Sequence, residues 1–342
     1  MKSKIYSRIY TLLILTLVSA GLFAQSQYSE STKKAVLVIH GGAGTILKEN
    51  MSPEKEAELI ETMGNALMKG YKIIKKGKSS EEAIIAAINH LEDDPNFNAG
   101  KGAVLNEEGN VELDASIMNG KDLQAGAIAG VHGIKNPINA ARAVKDHSKH
   151  VLLSGEGAEK FAKTEKLKFE EPEYFITDRV KASWLKAKKN NESSGYLNVP
   201  VEDHKFGTVG AVALDKEGNI SAGTSTGGMM MKKYGRIGDS PLIGSGTYAD
   251  NSSAGVSCTG HGEFFIRYVV AYDLVALMKY KGMSINDAAD EIIQNKLIKA
   301  GGAGGLIALD KDGNFAFSFN TPGMYRGVIF EDATMLIDFY KE

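Results

Sequence analysis

Threonine and glycine carry more chemical interest in this chain than histidine or cysteine. "SAGTSTGG" places Thr224 and Thr226 two apart, hence on one face of a strand. "SCTGHGE" puts Thr259 and Gly260 just before a helix expected to start near Gly262, where free N–H groups beside a hydroxyl could hold an oxyanion. "YGRIGDS" holds Arg236 and Asp239 three apart, flanking Ile237 and Gly238 in a glycine-rich loop. A guanidinium can grip a carboxylate and an aspartate an ammonium, so the pair suits the zwitterionic end of an amino acid. Taken singly, each feature is ordinary: threonines at alternate positions are common in strands, and neighbouring Arg and Asp usually form a surface pair.

Other chemistries find little support. The seven histidines are scattered; His147 and His150 in "DHSKH" are expected on one helical face, read as a solvated helix end rather than a metal site. The chain contains no G-x-S-x-G elbow, no P-loop, and no G-x-G-x-x-G after a strand with a downstream acid. A formal net charge of -2 gives no electrostatic case for nucleic acid or an anionic membrane.

The elements that must position these residues are legible in outline. "KAVLVIHGGAG" (34–44) reads as a buried strand entering a glycine turn. Ser52-Pro53 opens an amphipathic helix to about residue 75, and Ser80 is expected to cap a second. "GAVLNEEGNVELDASIM" predicts a hairpin turning at 106–110, followed by helices at about 137–148, 154–164 and 178–189. A polar tether, 189–206, then leads to Gly207-Thr208. Beyond it come a hairpin, a loop, further strands, helices at about 262–281 and 284–297, and a final hairpin. "LDKEGN" and "LDKDGN" (309–314) read as turns; the second lacks the remaining ligands of a calcium loop. Grouped helices and hairpins without regular alternation favour an α+β fold with antiparallel sheets.

At 342 residues, 43% hydrophobic and 24% charged, the chain can bury a large core. Lys2, Lys4 and Arg8 precede the apolar run "IYTLLILTLVSAGLFA", with Ala24–Gln25 as the expected cleavage point: a secretory signal peptide at 1–24. The run is shorter than the ~20 residues a membrane span needs. Export to the periplasm or outside the cell is therefore expected, and the single cysteine, Cys258, rules out an internal disulfide.

"HGGAG", "FNAGKGAV", "GTVGAVAL", "TSTGG", "GRIGDSP", "AGVSCTGHGE", "GGAGGLIALD" and "FNTPGMYRG" occur in this order across about 34–342. In them the chain resembles the plant-type L-asparaginase/isoaspartyl peptidase family of N-terminal-nucleophile hydrolases. The resemblance implies a four-layer αββα sandwich, two antiparallel sheets between helical layers. It also implies self-cleavage between Gly207 and Thr208. An α subunit, 25–207, with a flexible end at about 189–207, and a β subunit, 208–342, would together form one domain. Cleaved αβ units are expected to pair as dimers.

Residue by residue, the resemblance makes Thr208 the nucleophile, its freed α-amine the base, and Thr226 its orienting partner. Glycine at 207 is expected to give the backbone the freedom that attack requires. Thr259 and Gly260 match the oxyanion donors, Arg236 the α-carboxylate site, and Asp239 the α-amine site. Gly262 is expected near that amine, Asn98 near the nucleophile, and His261 either in the pocket or facing solvent. Carbonyls of Leu91, Glu92, Asp94, Phe97, Ala99 and Lys101 match a structural sodium loop; catalysis would need no cofactor. The implied substrates are L-asparagine and β-aspartyl dipeptides. Two alternatives stay open. Glycosylasparaginase shares similar motifs but typically has aspartate before its nucleophile. A periplasmic amino-acid-binding protein could use Arg236 and Asp239, and would remain one polypeptide.

Overall fold

The computed structural model describes residues 33–194 and 207–341. The leader at 1–24 and the part of the tether at 195–206 lie outside the described residues. In chain order the elements are β1 (Ala35–Gly44), α1 (Pro53–Lys75), α2 (Ser80–Glu92), β2 (Leu113–Asn119) and β3 (Ala125–Val131). Then follow α3 (Pro137–His147), β4 (Leu152–Ser154), α4 (Gly155–Thr164), α5 (Pro172–Phe175) and α6 (Asp178–Ser194). After Thr208 come β5 (Val209–Leu214), β6 (Ile220–Thr226), β7 (Thr247–Ala249), β8 (Ala254–Gly260), α7 (Gly262–Tyr268) and α8 (Val270–Lys281). A helix over 285–300 with a π-helical stretch, Glu291–Leu297, leads to β9 (Gly304–Asp310), β10 (Phe315–Phe319), β11 (Gly323–Phe330) and β12 (Met335–Tyr340).

The strands form two sheets. The larger has the order β12-β11-β1-β5-β6-β2-β3-β4 and the smaller β10-β9-β8-β7. β1, from before the tether, lies between β5 and β11, both from after it. The two halves of the chain therefore share one sheet. Period-2 alternation sends Leu37 and Ile39 of β1 into a core with residues of α1, α2 and α3. Val38 faces the other way, into a core with Val212, Ile307 and Leu309 between the sheets. A third core joins β8 and β9 to α8 and the following helix.

Local chemistry explains the helix starts. Ser52 accepts from Lys55 N–H with Pro53 at the first position, and Ser79 with Glu82 forms a capping box. The cap of α2 is thus Ser79, and Ser80 is the first helical residue. Gly70 lets α1 cross α2 closely: a Cβ there would stand 2.9 Å from the Ala83 carbonyl oxygen.

Several expectations are corrected. The hairpin around 106–110 shrinks to one bridge, Leu105 to Val111, because β2 takes β3 and β6 as partners. The larger sheet is not purely antiparallel, since the short edge strand β4 runs parallel to β3. α6 continues to Ser194, past the expected end at 189. Two hairpins, not one, close the chain. His147 ends α3 and pairs with Glu165 at 2.6 Å, while His150 lies beyond the helix. Among the described residues, no helix is long and apolar enough to cross a membrane.

Candidate active site

Thr208 is buried immediately before β5, and its Oγ1 donates to the carbonyl oxygen of Gly207 at 2.6 Å. Two further donors reach that same oxygen: Asn98 Nδ2 at 2.8 Å and Thr226 Oγ1 at 3.2 Å. Thr226, at the end of neighbouring β6, also lies 3.1 Å from Thr208 Oγ1 and accepts from Gly228 N–H at 2.9 Å. The carbonyl before the nucleophile is thus gripped by hydroxyl and amide donors, the arrangement that stabilises negative charge when an oxygen attacks the carbon.

Asn98 is fixed from every side. Its Oδ1 accepts from Val104 N–H and its Nδ2 also donates to the Gly228 carbonyl, both at 2.8 Å. Those partners settle which end of the amide is the donor. The glycines make room for it: a Cβ on Gly227 would meet Asn98 Oδ1 at 2.5 Å, and one on Gly207 would meet Asn98 Cβ at 2.7 Å. Asn98 thus packs against Gly207 and leaves no room for a side chain before Thr208.

The second cluster lies on the loop before β7 and the start of α7. Asp239 is buried, and its Oδ2 has no hydrogen-bond partner. Burial pushes its pKa up to about 7; its own backbone N–H and Arg236 pull down, while Glu263 and Asp114 push up. Gly262 closes over the pair, since a Cβ there would stand 2.8 Å from Arg236 Nη2 and 2.9 Å from Asp239 Oδ1. Gly238 is similarly tight against Arg236 Nη1, at 2.8 Å, and Ile237 is exposed.

Arg236 is already engaged. Its Nε and Nη2 donate to the two carboxylate oxygens of Glu263, each at 2.9 Å. His261 Nε2 stands 3.3 Å from the same carboxylate, with its ring edge-on to Phe264. His261 therefore belongs to the ionic cluster around Arg236.

Thr259 links to the glycine turn of β1: its Oγ1 accepts from Ala43 N–H at 3.3 Å, leaving its proton for another acceptor. Gly260 holds φ +149, packed against Gly304. Cys258, just before Thr259, is buried and its thiol pKa is driven up, so it stays protonated and inert.

Glu92 plays a part that its sequence position did not suggest. Its carbonyl accepts from Lys101 N–H at 2.7 Å, closing the 91–101 loop. Its buried carboxyl accepts from Ser225 Oγ at 2.6 Å and Ile138 N–H at 3.0 Å, and burial raises its pKa to about 8. Sequence reasoning also missed Glu263, although it closes the "GHGE" stretch. Asp114 was missed too: it is buried, sits opposite Thr226 in the β2–β6 pair, and leaves Oδ2 unpartnered. A groove of about 660 Å³ lined by Lys34, Tyr71, Asp215, Lys216 and Glu331 shares no residue with this site.

These features define an α+β protein with a buried threonine bonded to the peptide before it and a buried Asp239 beside an Arg236–Glu263 pair. A family described as asparaginase matches residues 33–337. The chain is 46% identical over 311 residues to an isoaspartyl peptidase of Escherichia coli (strain K12), covering 90% of this chain and 97% of that one. It is 40% identical over 300 residues to an isoaspartyl peptidase/L-asparaginase of Xenopus laevis, covering 87% and 93%. One from Rattus norvegicus is 41% identical over 289 residues, covering 84% of each. The chain belongs to the isoaspartyl peptidase/L-asparaginase family.

Proposed function

We propose that this protein is an isoaspartyl peptidase/L-asparaginase that first cuts itself between Gly207 and Thr208. The observation that carries this reading is the Gly207 carbonyl, held by Asn98 and Thr226 with Thr208 Oγ1 2.6 Å from its oxygen. Oγ1 adds to the Gly207 carbon, the amide nitrogen leaves as the Thr208 α-amine, and water opens the resulting ester. The products are a carboxylate on Gly207 and a free N-terminal threonine.

That amine has an ordinary pKa of about 7.7–8.0, suited to take the Oγ1 proton near neutral pH. Substrate would bind with its α-carboxylate on Arg236 and its α-ammonium on the unpartnered Asp239 Oδ2. Thr208 Oγ1 attacks the β-amide carbonyl, with the Thr259 hydroxyl and Gly260 N–H receiving the oxyanion. Ammonia or an amino acid leaves with the proton, and water then hydrolyses the acyl-threonine.

The sheet pair with helix-bearing cores on its outer sides supports the four-layer αββα arrangement of N-terminal-nucleophile hydrolases. The 91–101 loop supports a structural sodium ion held by carbonyls of Leu91, Glu92, Asp94, Phe97, Ala99 and Lys101. It is wound tightly, with Gly100 at φ +49 and Gly102 at φ +99, and a Cβ on Gly102 would meet the carbonyl oxygens of Pro95 and Phe97 at 2.5 and 2.9 Å. Neutral oxygen donors suit a hard cation, whose part would be to stiffen the loop carrying Asn98. The reading includes export, with the leader removed, and dimers of cleaved αβ units.

The test is a denaturing gel with the intact mass of each band. Two fragments, the smaller beginning at Thr208, together with ammonia release from L-asparagine, are expected. A chain that stays whole on prolonged incubation overturns the reading.

A further inference from the structure

Ser225 and Gly227 stand on either side of Thr226 at the end of β6, and both are bonded to the loop that carries Asn98. Gly227 N–H donates to the carbonyl oxygen of Asn98 at 3.1 Å. Ser225, whose side chain leaves the strand on the face opposite to that of Thr226, bonds the carboxyl of Glu92 at 2.6 Å. The loop is therefore tied to the strand on both sides of the threonine whose hydroxyl meets the Gly207 oxygen.

Glu92 is the last residue of α2 and opens that loop. Its carbonyl oxygen accepts from Lys101 N–H at 2.7 Å. Gly100 folds directly onto it, since a Cβ there would stand 2.5 Å from the Glu92 carbonyl oxygen and 3.0 Å from Glu92 Cβ. The backbone of Glu92 thus closes the turn of chain within which Asn98 sits. Its carboxyl reaches two other elements. Oε1 meets Ser225 Oγ on β6 and also accepts from Ile138 N–H, 3.0 Å away in the first turn of α3. That N–H is one of the donors a helix start leaves without an internal partner. Ser225 lies opposite Val209, the residue after Thr208, in the β5–β6 register. Glu92 and Ser225 are fully buried, so losing the carboxyl strands a hydroxyl and an N–H without an acceptor.

Two donors from distant parts of the chain converge on one oxygen: Asn98 Nδ2 at 2.8 Å and Thr226 Oγ1 at 3.2 Å from that of Gly207. Donors aimed at a developing charge must be held within about 0.5 Å of the productive geometry. A loop fastened to the strand only through Gly227 and Asn98 can turn about that single bond. The second fastening, from Ser225 to Glu92, removes this freedom.

We infer that Glu92 is a positioning residue for self-cleavage: its carboxyl, bonded to Ser225, sets the loop of Asn98 against the strand of Thr226 so that both donors meet the Gly207 oxygen. This rests on self-cleavage between Gly207 and Thr208.

The experiment is a double-mutant cycle on self-cleavage, followed as intact mass against time. Glu92→Met has a side chain of similar length and no oxygen. It should slow cleavage at least about tenfold in the otherwise wild-type chain, but less than about twofold further in Asn98→Ala, because it acts through Asn98. Glu92→Gln, which keeps an acceptor oxygen, should recover most of the loss. Ser225→Ala, outside the loop, should slow cleavage with the same dependence on background, and serves if Glu92→Met does not fold. A merely structural residue would lower the melting temperature and slow both backgrounds by one factor. Equal slowing in the two backgrounds, wild-type rates in both variants, or Glu92→Gln as slow as Glu92→Met overturns the inference. If the wild type stays whole, the proposed function fails, and hydrogen exchange of the Asn98 side-chain amide in the uncut chains still decides the positioning. Faster exchange in Ser225→Ala than in the wild type supports it; equal exchange overturns it.

Discussion

With the substrate ammonium on Asp239, as proposed, this residue should set the pH range over which an amine-bearing substrate binds. Only the ionised carboxylate attracts an ammonium, and in the empty site its pKa is pushed up to about 7, chiefly by burial. Below that value the ionised fraction falls roughly tenfold per pH unit, a cost of about 1.4 kcal/mol each. About half of the carboxyl is ionised at pH 7 and about a tenth at pH 6, so the KM for L-asparagine should rise about fivefold over that unit and about tenfold for the next. Thr208's amine also titrates nearby, so a control is needed: the des-amino analogue of asparagine keeps the carboxylate and amide but lacks the ammonium. Any loss of base affects both compounds, and the ratio of their kcat/KM values isolates Asp239. That ratio should fall as pH drops through 7 and level off above about 8. In Asp239→Asn it should be flat, with the asparagine KM raised on the order of 100-fold, because the ammonium then meets no countercharge in a buried site. Ammonia release, measured from pH 5.5 to 8.5, reads both. A ratio that is flat in the wild type, or an Asp239→Asn loss equal for the two compounds, would refute the assignment.

Removing the Asn98 amide should slow self-cleavage by about 10²-fold, the usual effect of losing one oxyanion donor, read as intact mass against time in Asn98→Ala. Arg236→Lys keeps the charge but loses the planar fork that already binds Glu263 through two nitrogens; KM should rise about 10- to 100-fold, with self-cleavage unaffected. Gly70→Ala should destabilise the fold by about 1–3 kcal/mol, since the added methyl would stand 2.5 Å from Leu37 Cδ2 at the α1–α2 crossing. Thermal unfolding of the cleaved enzyme checks it.

The parts of this site legible in the sequence are those with short-range rules. Thr208 and Thr226 could be placed from strand alternation and motif order, and they meet at 3.1 Å. Arg236 and Asp239 share a loop, and the structure keeps them together around Gly262. Element types held well where periodicity was strong, as in β1 and α1. Partner choice held less well: β2 looked like half of a local hairpin, yet it pairs with β6, more than a hundred residues away. Loop closure over that distance leaves no local signature.

What escaped is polar and long-range. Asn98 could be named as a pocket residue, but nothing in "FNAGKG" says that its amide reaches Gly207, 109 positions on. The glycines mislead in the same way. Gly207 looks like a conformational device when read along the chain, and Gly210 sits inside β5 without positive φ. Each is glycine because another element occupies the place of its Cβ: Asn98 in one case, the His40–Ser257 hydrogen bond in the other. A glycine in a strand therefore carries two different messages, and the backbone angle separates them. Where φ is negative, the useful question is what stands in the vacant volume. In this chain the answer at both positions is a polar group, so "GTVG" is as much a steric imprint of the groups around Thr208 as a motif of the strand itself.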